Sequence, residues 1–298
     1  MKLDDQILYE LHEKAVDAAY QAGQLITDYR YKKITPQNKL SGNSLASQVV
    51  TEVDFLSQDI ILKLLLPTCE KYDIGLLAEE CEDGLSRLNK DFIWCIDPMD
   101  GTLSFVESTP GFSVSVALVS KSGEPQLGVV YDPLENNLYS AMKGKGIYKN
   151  KKLWYPVFDS SHKGHKLKVF IDRSMMQGQS FNIISEEVER FVLENGLDGF
   201  EFIKHGGAVM NACWVLENHP ACYFKFPKKE NGGGCLWDFA ATASLFLECG
   251  AVVSDIYGNA LDLNRADSTY MNHKGALYAS SQELAKWIMD LYSHAFSR

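Results

Sequence analysis

Asp97 and Asp100 stand three residues apart in the run Ile93-Trp-Cys-Ile-Asp-Pro-Met-Asp-Gly-Thr102. Two carboxylates held that close repel each other unless a cation lies between them. A hard divalent ion such as Mg²⁺ removes the repulsion and prefers oxygen ligands, and the Met99 carbonyl offers a third oxygen. Gly101 lets a phosphate approach the backbone, and Thr102 can hold or polarise a water. The same Asp-Pro-x-Asp-Gly is also a good turn sequence, because Asp and Gly favour turns for local reasons. Four further places carry similar double readings. Asp54 closes Val49-Val-Thr-Glu-Val-Asp at a predicted helix start, where an N-cap is the plain reading. Glu79 and Glu80 end a predicted strand, where an exposed pair is the plain reading. Asp238, in Cys235-Leu-Trp-Asp-Phe-Ala-Ala241, opens another helix and could be only a cap. Gly206-Gly207-Ala208 precede a third helix, whose N-terminal amides suit a phosphate or simply follow a turn. His205, next to Gly206, reads as a solvent-exposed loop histidine that could touch a substrate. None of the seven histidines has metal-ligand spacing.

The elements that must position these groups follow from periodicity. Leu8, Leu11, Ala15, Ala18, Ala22 and Leu25 recur at helical steps and predict an opening amphipathic helix. Polar residues 33–47 predict a loop. A second helix is expected from Asp54 until Pro67, then a strand over 74–78 ending on Glu79. The apolar strand 93–96 should break at Pro98, which cannot donate to a ladder. Strands over 113–119, 127–131 and 137–142 predict an antiparallel meander. The polar stretch 150–166 divides the chain into an α+β half, 1–155, with most candidate ligands, and an α/β half, 156–298. The second half is expected to hold strands over 167–171, 221–226 and 251–254 and helices over 186–195, 208–217, 238–249 and 282–296. A tight turn between short strands is expected at 257–260.

Composition bounds the rest. With 298 residues, 46% hydrophobic and 23% charged, the chain can bury a large core. Its net charge of −10 excludes a general binder of nucleic-acid polymers or anionic membranes, but not a small phosphorylated substrate. Seven cysteines, with no Cys-x-x-Cys pair, predict free thiols in a reducing cytoplasm. The acidic start without an apolar h-region predicts no signal peptide, and no apolar run has the length of a membrane span.

Taken in chain order, Val-Thr-x-x-Asp54, Glu79-Glu80, Trp94-x-x-Asp-Pro-x-Asp-Gly-Thr102, Gly206-x-Ala208 and Trp237-Asp-x-Ala-Ala241 resemble the inositol monophosphatase family of metal-dependent, lithium-sensitive phosphatases. Val129-Val-Tyr-Asp-Pro133 and Gly144-Lys-Gly146 are similar to the family's middle strands. The resemblance implies a layered αβαβα sandwich and two or three Mg²⁺ ions per site. In that scheme Glu79, Asp97 and the Met99 carbonyl hold one ion, and Asp97, Asp100 and Asp238 a second. Thr102, oriented by Asp54, positions the attacking water beside Glu79, and the amides of Gly101 and Thr102 contact the phosphate. It implies a small phosphorylated metabolite as substrate and admits a homodimer. Inositol-specific members carry an acidic residue seven positions before the Trp-Asp aspartate, where this chain has Asn231 within the insert Lys228-Lys-Glu-Asn-Gly-Gly-Gly234. Tyr223-Phe-Lys-Phe-Pro227 is more similar to the 3′(2′),5′-bisphosphate nucleotidase branch, in which Lys225 would pair a second phosphate; a solvated strand lysine is its plain reading. Thr102-Leu-Ser-Phe105 lacks that branch's charged pair. The competing class is a catalytically silent relative that binds a phosphorylated metabolite or a protein partner. Loss of a metal ligand would mark it, and none is lost.

Overall fold

The computed structural model describes residues 3–29, 37–38, 49–50, 52–158, 164–177 and 180–296. The chain runs α1 (Asp5–Tyr29), β1 (Gln37–Asn38), β2 (Val49–Val50), α2 (Glu52–Tyr72), β3 (Gly75–Ala78), β4 (Phe92–Asp100), α3 (Thr102–Val106), β5 (Ser113–Ser120), β6 (Pro125–Asp132), β7 (Asn137–Met142), β8 (Gly146–Lys149) and β9 (Lys152–Leu153). It continues through β10 (Leu167–Phe170), α4 (Ser180–Glu194), β11 (Phe200–Ile203), α5 (Ala208–Glu217), β12 (Ala221–Lys225), α6 (Leu236–Cys249), β13 (Val252–Ser254), β14 (Ala276–Ala279) and α7 (Gln282–Ala295). The predicted loop over 33–47 lies mostly outside the described residues; within it, β1 pairs antiparallel with β2.

Strands β3 to β9 form a seven-stranded sheet in sequence order, and a five-stranded sheet has the order β11-β10-β12-β14-β13. The amphipathic α1 and α2 cover one face of the large sheet, with Leu11, Ala15, Ile26, Ile61 and Leu65 packed on Trp94, Val116 and Val129. Between the sheets lie α5 and α6, buried on nearly every side as a helix must be when apolar all round. Helices α4 and α7 close the far face of the small sheet through Ile184, Val188, Leu284 and Ile288. The result is the expected αβαβα layering. At Gly128 of β6 a Cβ would overlap the Ala241 carbonyl, so α6 lies directly on the large sheet.

Two expected boundaries move. Helix α2 runs through Pro67 to Tyr72. The missing Pro67 N–H costs one helical bond. Beyond it the Thr68 hydroxyl anchors the next turn, donating to the Leu65 carbonyl at 2.6 Å and accepting from Trp94 Nε1 at 2.8 Å. At its other end α2 starts at Glu52, so Asp54 lies within the first turn rather than before it. Strand β4 likewise passes Pro98 and ends at Asp100. The turn at 257–260 forms around Asp255, whose Oδ1 accepts from the Tyr257 and Asn259 amides, but no strand follows until β14. Among the described residues no helix is long and apolar enough to cross a membrane.

Candidate metal centre

A bulge is what puts two carboxylates on one side of β4. Asp97 pairs with Ser115 and Asp100 with Ser113, so three residue steps on β4 oppose two on β5. In a regular strand residues three apart face opposite sides; one extra residue restores the same side and bends the strand. Proline fits here because the ladder is already interrupted. Met99 N–H donates to Asp97 Oδ1 at 3.0 Å, and Ser57 Oγ to the Pro98 carbonyl at 2.7 Å, fixing the bulge. Strand β3 lies parallel to β4 with Ala78 opposite Ile96, and the Glu79 amide donates to the Ile96 carbonyl at 3.1 Å. Glu79 thus leaves its strand level with Asp97.

Asp238 arrives from the first turn of α6. Its Oδ2 accepts the Cys235 N–H at 2.9 Å, and Ser115 Oγ donates to the Trp237 carbonyl at 3.2 Å. The helix start is therefore tied to the residue that pairs with Asp97. Asp97, Asp100 and Asp238 each offer an oxygen, all within 4.8 Å of one another, the first two buried and the third partly so. Glu79 does not join this mutually close group, but its charge acts on Asp100.

Burial and the negative charge of Asp238 push the Asp100 carboxyl well above the usual carboxylate range, against the Val209 N–H and Lys225. Burial also raises Asp238, opposed first by Lys225. An all-oxygen set of carboxylates that resist ionising together fits a hard divalent cation. Ser113, opposite Asp100, adds a buried hydroxyl without a hydrogen-bond partner among the described residues, as expected where a ligand or its water belongs. Thr102 Oγ stands 3.2 Å from the Met99 carbonyl and 3.5 Å from Asp54 Oδ1; its single proton serves one of them at a time.

The N-terminus of α5 closes the site from the other sheet. The amides of Ala208 and Val209 donate to the two oxygens of Asp100 at 3.1 and 2.9 Å, and that of Gly207 to the Gly111 carbonyl at 2.7 Å. Backbone meets backbone here. A Cβ on Gly101, at φ 82°, would overlap the Gly111 carbonyl, and one on Gly207 would overlap Asp100 Oδ2. Gly206 is equally confined, by Asn211 and Trp214.

Lys225 is not a solvated lysine. Its Nζ lies 2.9 Å from Asp172 Oδ2 with the side chain only 11% exposed, and Tyr223 OH donates to Asp172 Oδ1 at 3.1 Å. Burial alone would lower its pKa; the charges of Asp172 and Asp238 outweigh that and hold the ammonium protonated. His205 is half-buried rather than exposed, its ring 5.2 Å from that of Trp214 and its carbonyl accepting from Ser104 Oγ. Asp172, Gly111, Ser113 and Ser115 escaped the sequence reading. The alternating serines of Ser113-Val-Ser-Val, in an otherwise apolar strand, were the available signal. The insert ending at Gly234 folds back on Asn272, whose Nδ2 donates to the Lys228 and Glu230 carbonyls.

The sequence matches the inositol monophosphatase family over residues 8–294. It is 28% identical over 278 residues to the Nus factor SuhB of Pasteurella multocida, spanning 93% of each chain. It is 30% identical over 268 residues to the 3′(2′),5′-bisphosphate nucleotidase CysQ of Aggregatibacter actinomycetemcomitans, spanning 87% of this chain and 89% of the relative. The solved structure of an IMPase/NADP phosphatase complexed with NADP and Ca²⁺ shares the fold at a TM-score of 0.75, with 17% identity over 98% of each chain. Family membership and an acidic cluster suited to a metal together support a phosphatase. The chain belongs to the inositol monophosphatase family.

Proposed function

We propose that the protein is a Mg²⁺-dependent phosphomonoesterase acting on a small phosphorylated metabolite. The observation that carries the reading is the group of three carboxylate oxygens from Asp97, Asp100 and Asp238 within 4.8 Å. Asp97, Asp100 and Asp238 would hold the metal, with Glu79 and the Met99 carbonyl completing the set. When bound, divalent ions in such a site neutralise the phosphate and lower the pKa of water. That matters because uncatalysed phosphate-monoester hydrolysis needs accelerations of up to ~10²¹-fold. Thr102 presents its hydroxyl to the attacking water, held in place by Met99 and Asp54. The Gly101 and Thr102 amides, with the segment Gly206-Gly207-Ala208, flank the phosphate. The α5 amides act through Asp100, which they hold against α5. Lys225 supplies the positive charge on the substrate side.

Two substrate types fit, inositol monophosphates and 3′-phosphoadenosine 5′-phosphate. The test is phosphate release from both compounds, side by side, with Mg²⁺ and with EDTA. Metal-dependent release with a preference of tenfold or more, about 1.4 kcal/mol, assigns the substrate type. Inhibition by lithium is expected with either. A second reading, binding to a protein partner without turnover, draws on the relative named Nus factor SuhB. Release from neither substrate, with Mg²⁺ bound, would favour it.

A further inference from the structure

The side chain of Arg87 is 2% exposed, and the metal chemistry does not use it. It belongs to the 3₁₀ turn Ser86–Leu88 between β3 and β4, packed beside Gly75 at the end of β3 away from Glu79. A buried guanidinium is costly unless its N–H groups find acceptors. Its Nε donates to Asp83 Oδ2 at 2.6 Å. Its Nη1 serves both Asn264 Oδ1, at 3.1 Å, and the Arg265 carbonyl, at 2.7 Å. Asn264 donates in return, to the Arg87 carbonyl at 3.1 Å and the Lys121 carbonyl at 3.0 Å. Residues 264 and 265 are thus fastened to the end of the large sheet that does not carry the site.

From that anchor, residues 264–271 lead back to the metal group as a strap. Arg265 is its middle link: its carbonyl accepts from Arg87, and its own Nη1 donates to the Tyr270 carbonyl at 3.1 Å. Tyr270 pairs antiparallel with Cys235. Around that pair the Leu236 N–H donates to the Thr269 carbonyl and the Met271 N–H to the Gly234 carbonyl, both at 2.9 Å. The segment so gripped is the entry to α6. Cys235 N–H donates to Asp238 Oδ2, and a Cβ on Gly234 would overlap the same oxygen. The strap therefore holds the two residues that bear on the Asp238 carboxylate. Of the three close carboxylates, Asp238 alone comes from outside β4, so its place beside the others depends on such outer contacts.

We infer that Arg87 and Arg265 are positioning residues for Asp238, a relay that runs from the far end of the large sheet through the strap to Cys235. The inference rests on the metal part of the proposed function. The test is Mn²⁺ binding without substrate, by titration calorimetry, for Arg87→Lys and Arg265→Met, each in the wild type and in Asp238→Asn. Arg87→Lys keeps the buried charge but lacks the planar fork that reaches Asp83 and the strap together. Arg265→Met leaves the bond from Arg87 to the backbone carbonyl, and the only ion pair it removes is with Asp267, which is exposed. Each variant should weaken Mn²⁺ binding by about fivefold or more in the wild type. In Asp238→Asn, where the positioned ligand is already lost, each should change it by less than about twofold. An equal loss in both backgrounds, or no loss from Arg265→Met, would overturn the relay. Should Asp238→Asn bind no Mn²⁺, the double variant decides. Arg87→Lys with Arg265→Met binding no worse than the weaker single variant supports a serial relay, and losses that multiply overturn it. If Arg87→Lys does not fold, Arg265→Met carries the comparison between backgrounds. The phosphatase reading fails separately, if the wild type binds Mn²⁺ yet releases phosphate from neither substrate named above; the relay is still judged by binding.

Discussion

The two sheets bring opposite charge to one place by different means. The large sheet delivers Glu79, Asp97 and Asp100 from the adjacent ends of β3 and β4, within one short stretch of chain. The small sheet delivers Arg173, Lys204 and Lys225 from the ends of β10, β11 and β12, scattered in sequence and gathered only by parallel pairing. Asp97 and Asp100 are buried and locked by a bulge, whereas Arg173 and Lys204 sit on more exposed loops. Metal holding therefore depends on a rigid, local device. Charge recognition depends on loops that can change without moving the carboxylates.

The sharpest way to break this contrast is to remove charge from the rigid side. Asp97→Asn keeps the size of the side chain and the oxygen that accepts from Met99 N–H, so the fold should persist by circular dichroism. Losing several kcal/mol of metal-borne stabilisation lowers kcat by about 10³-fold or more. An active Asp97→Asn enzyme would refute the metal assignment. Gly207→Ala tests how tightly the sheets are joined. Its Cβ overlaps Asp100 Oδ2, and a shift near 1 Å in a catalytic group costs about 10²-fold. The measurement is kcat/KM with and without excess Mg²⁺; an unchanged value would mean that the α5 contact does not position Asp100.

These two residues also mark what sequence could and could not reveal. The strand before Asp97 and the helix before Glu217 follow from local period and composition, which act over neighbouring residues. The bulge was invisible because Asp-Pro-x-Asp-Gly satisfies a turn as well as a bent strand; only pairing with Ser113 and Ser115 decides between them. The continuation of α2 past Pro67 was hidden for the same reason, since its support, Trp94, is 26 residues distant. Asp97, Asp100 and Asp238, the carboxylates of the metal group, could be named from the sequence. The hold of Ala208 and Val209 on Asp100 spans more than 100 residues, and the Lys225–Asp172 pair exists only once β10 and β12 lie side by side. Motif reading finds the groups that do chemistry; it does not find the groups that hold them.

Lys225 sharpens the comparison because it is the small sheet's charge closest in effect to the large sheet's carboxylates. Lys225→Met with Asp172→Asn removes the buried pair together, avoiding an unpaired carboxylate. The ammonium acts on Asp100 and Asp238 more strongly than the Asp172 carboxylate does, so losing both charges leaves a stronger negative potential there, and the Mg²⁺ concentration for half-activation falls by roughly threefold. The substrate KM rises by a similar factor, because the phosphate ester loses its cation. Shifts of the same sign in both would refute the view that Lys225 divides its charge between metal site and substrate.

The smallest effect on activity is expected where the large sheet buries a carboxylate away from the site. Asp132, at the end of β6, is pushed up to about 6 by burial, against the Glu135 and Leu134 amides that it accepts. An unfolded Asp titrates near 4. Between these values the folded chain keeps a proton that the unfolded chain has lost, so stability falls as pH rises through about 4 to 6. Asp132→Asn keeps the acceptor oxygen and removes the titration. Its turnover should match the wild type within twofold, while its unfolding free energy relative to wild type rises by up to roughly 2–3 kcal/mol above pH 6. Denaturant unfolding at pH 4.5 and 7.5 reads the difference. An unchanged pH slope would mean that the wild-type dependence comes from Asp100 and Asp238. In that case saturating Mg²⁺ should abolish it in both proteins, because those two carboxylates, unlike Asp132, belong to the metal group.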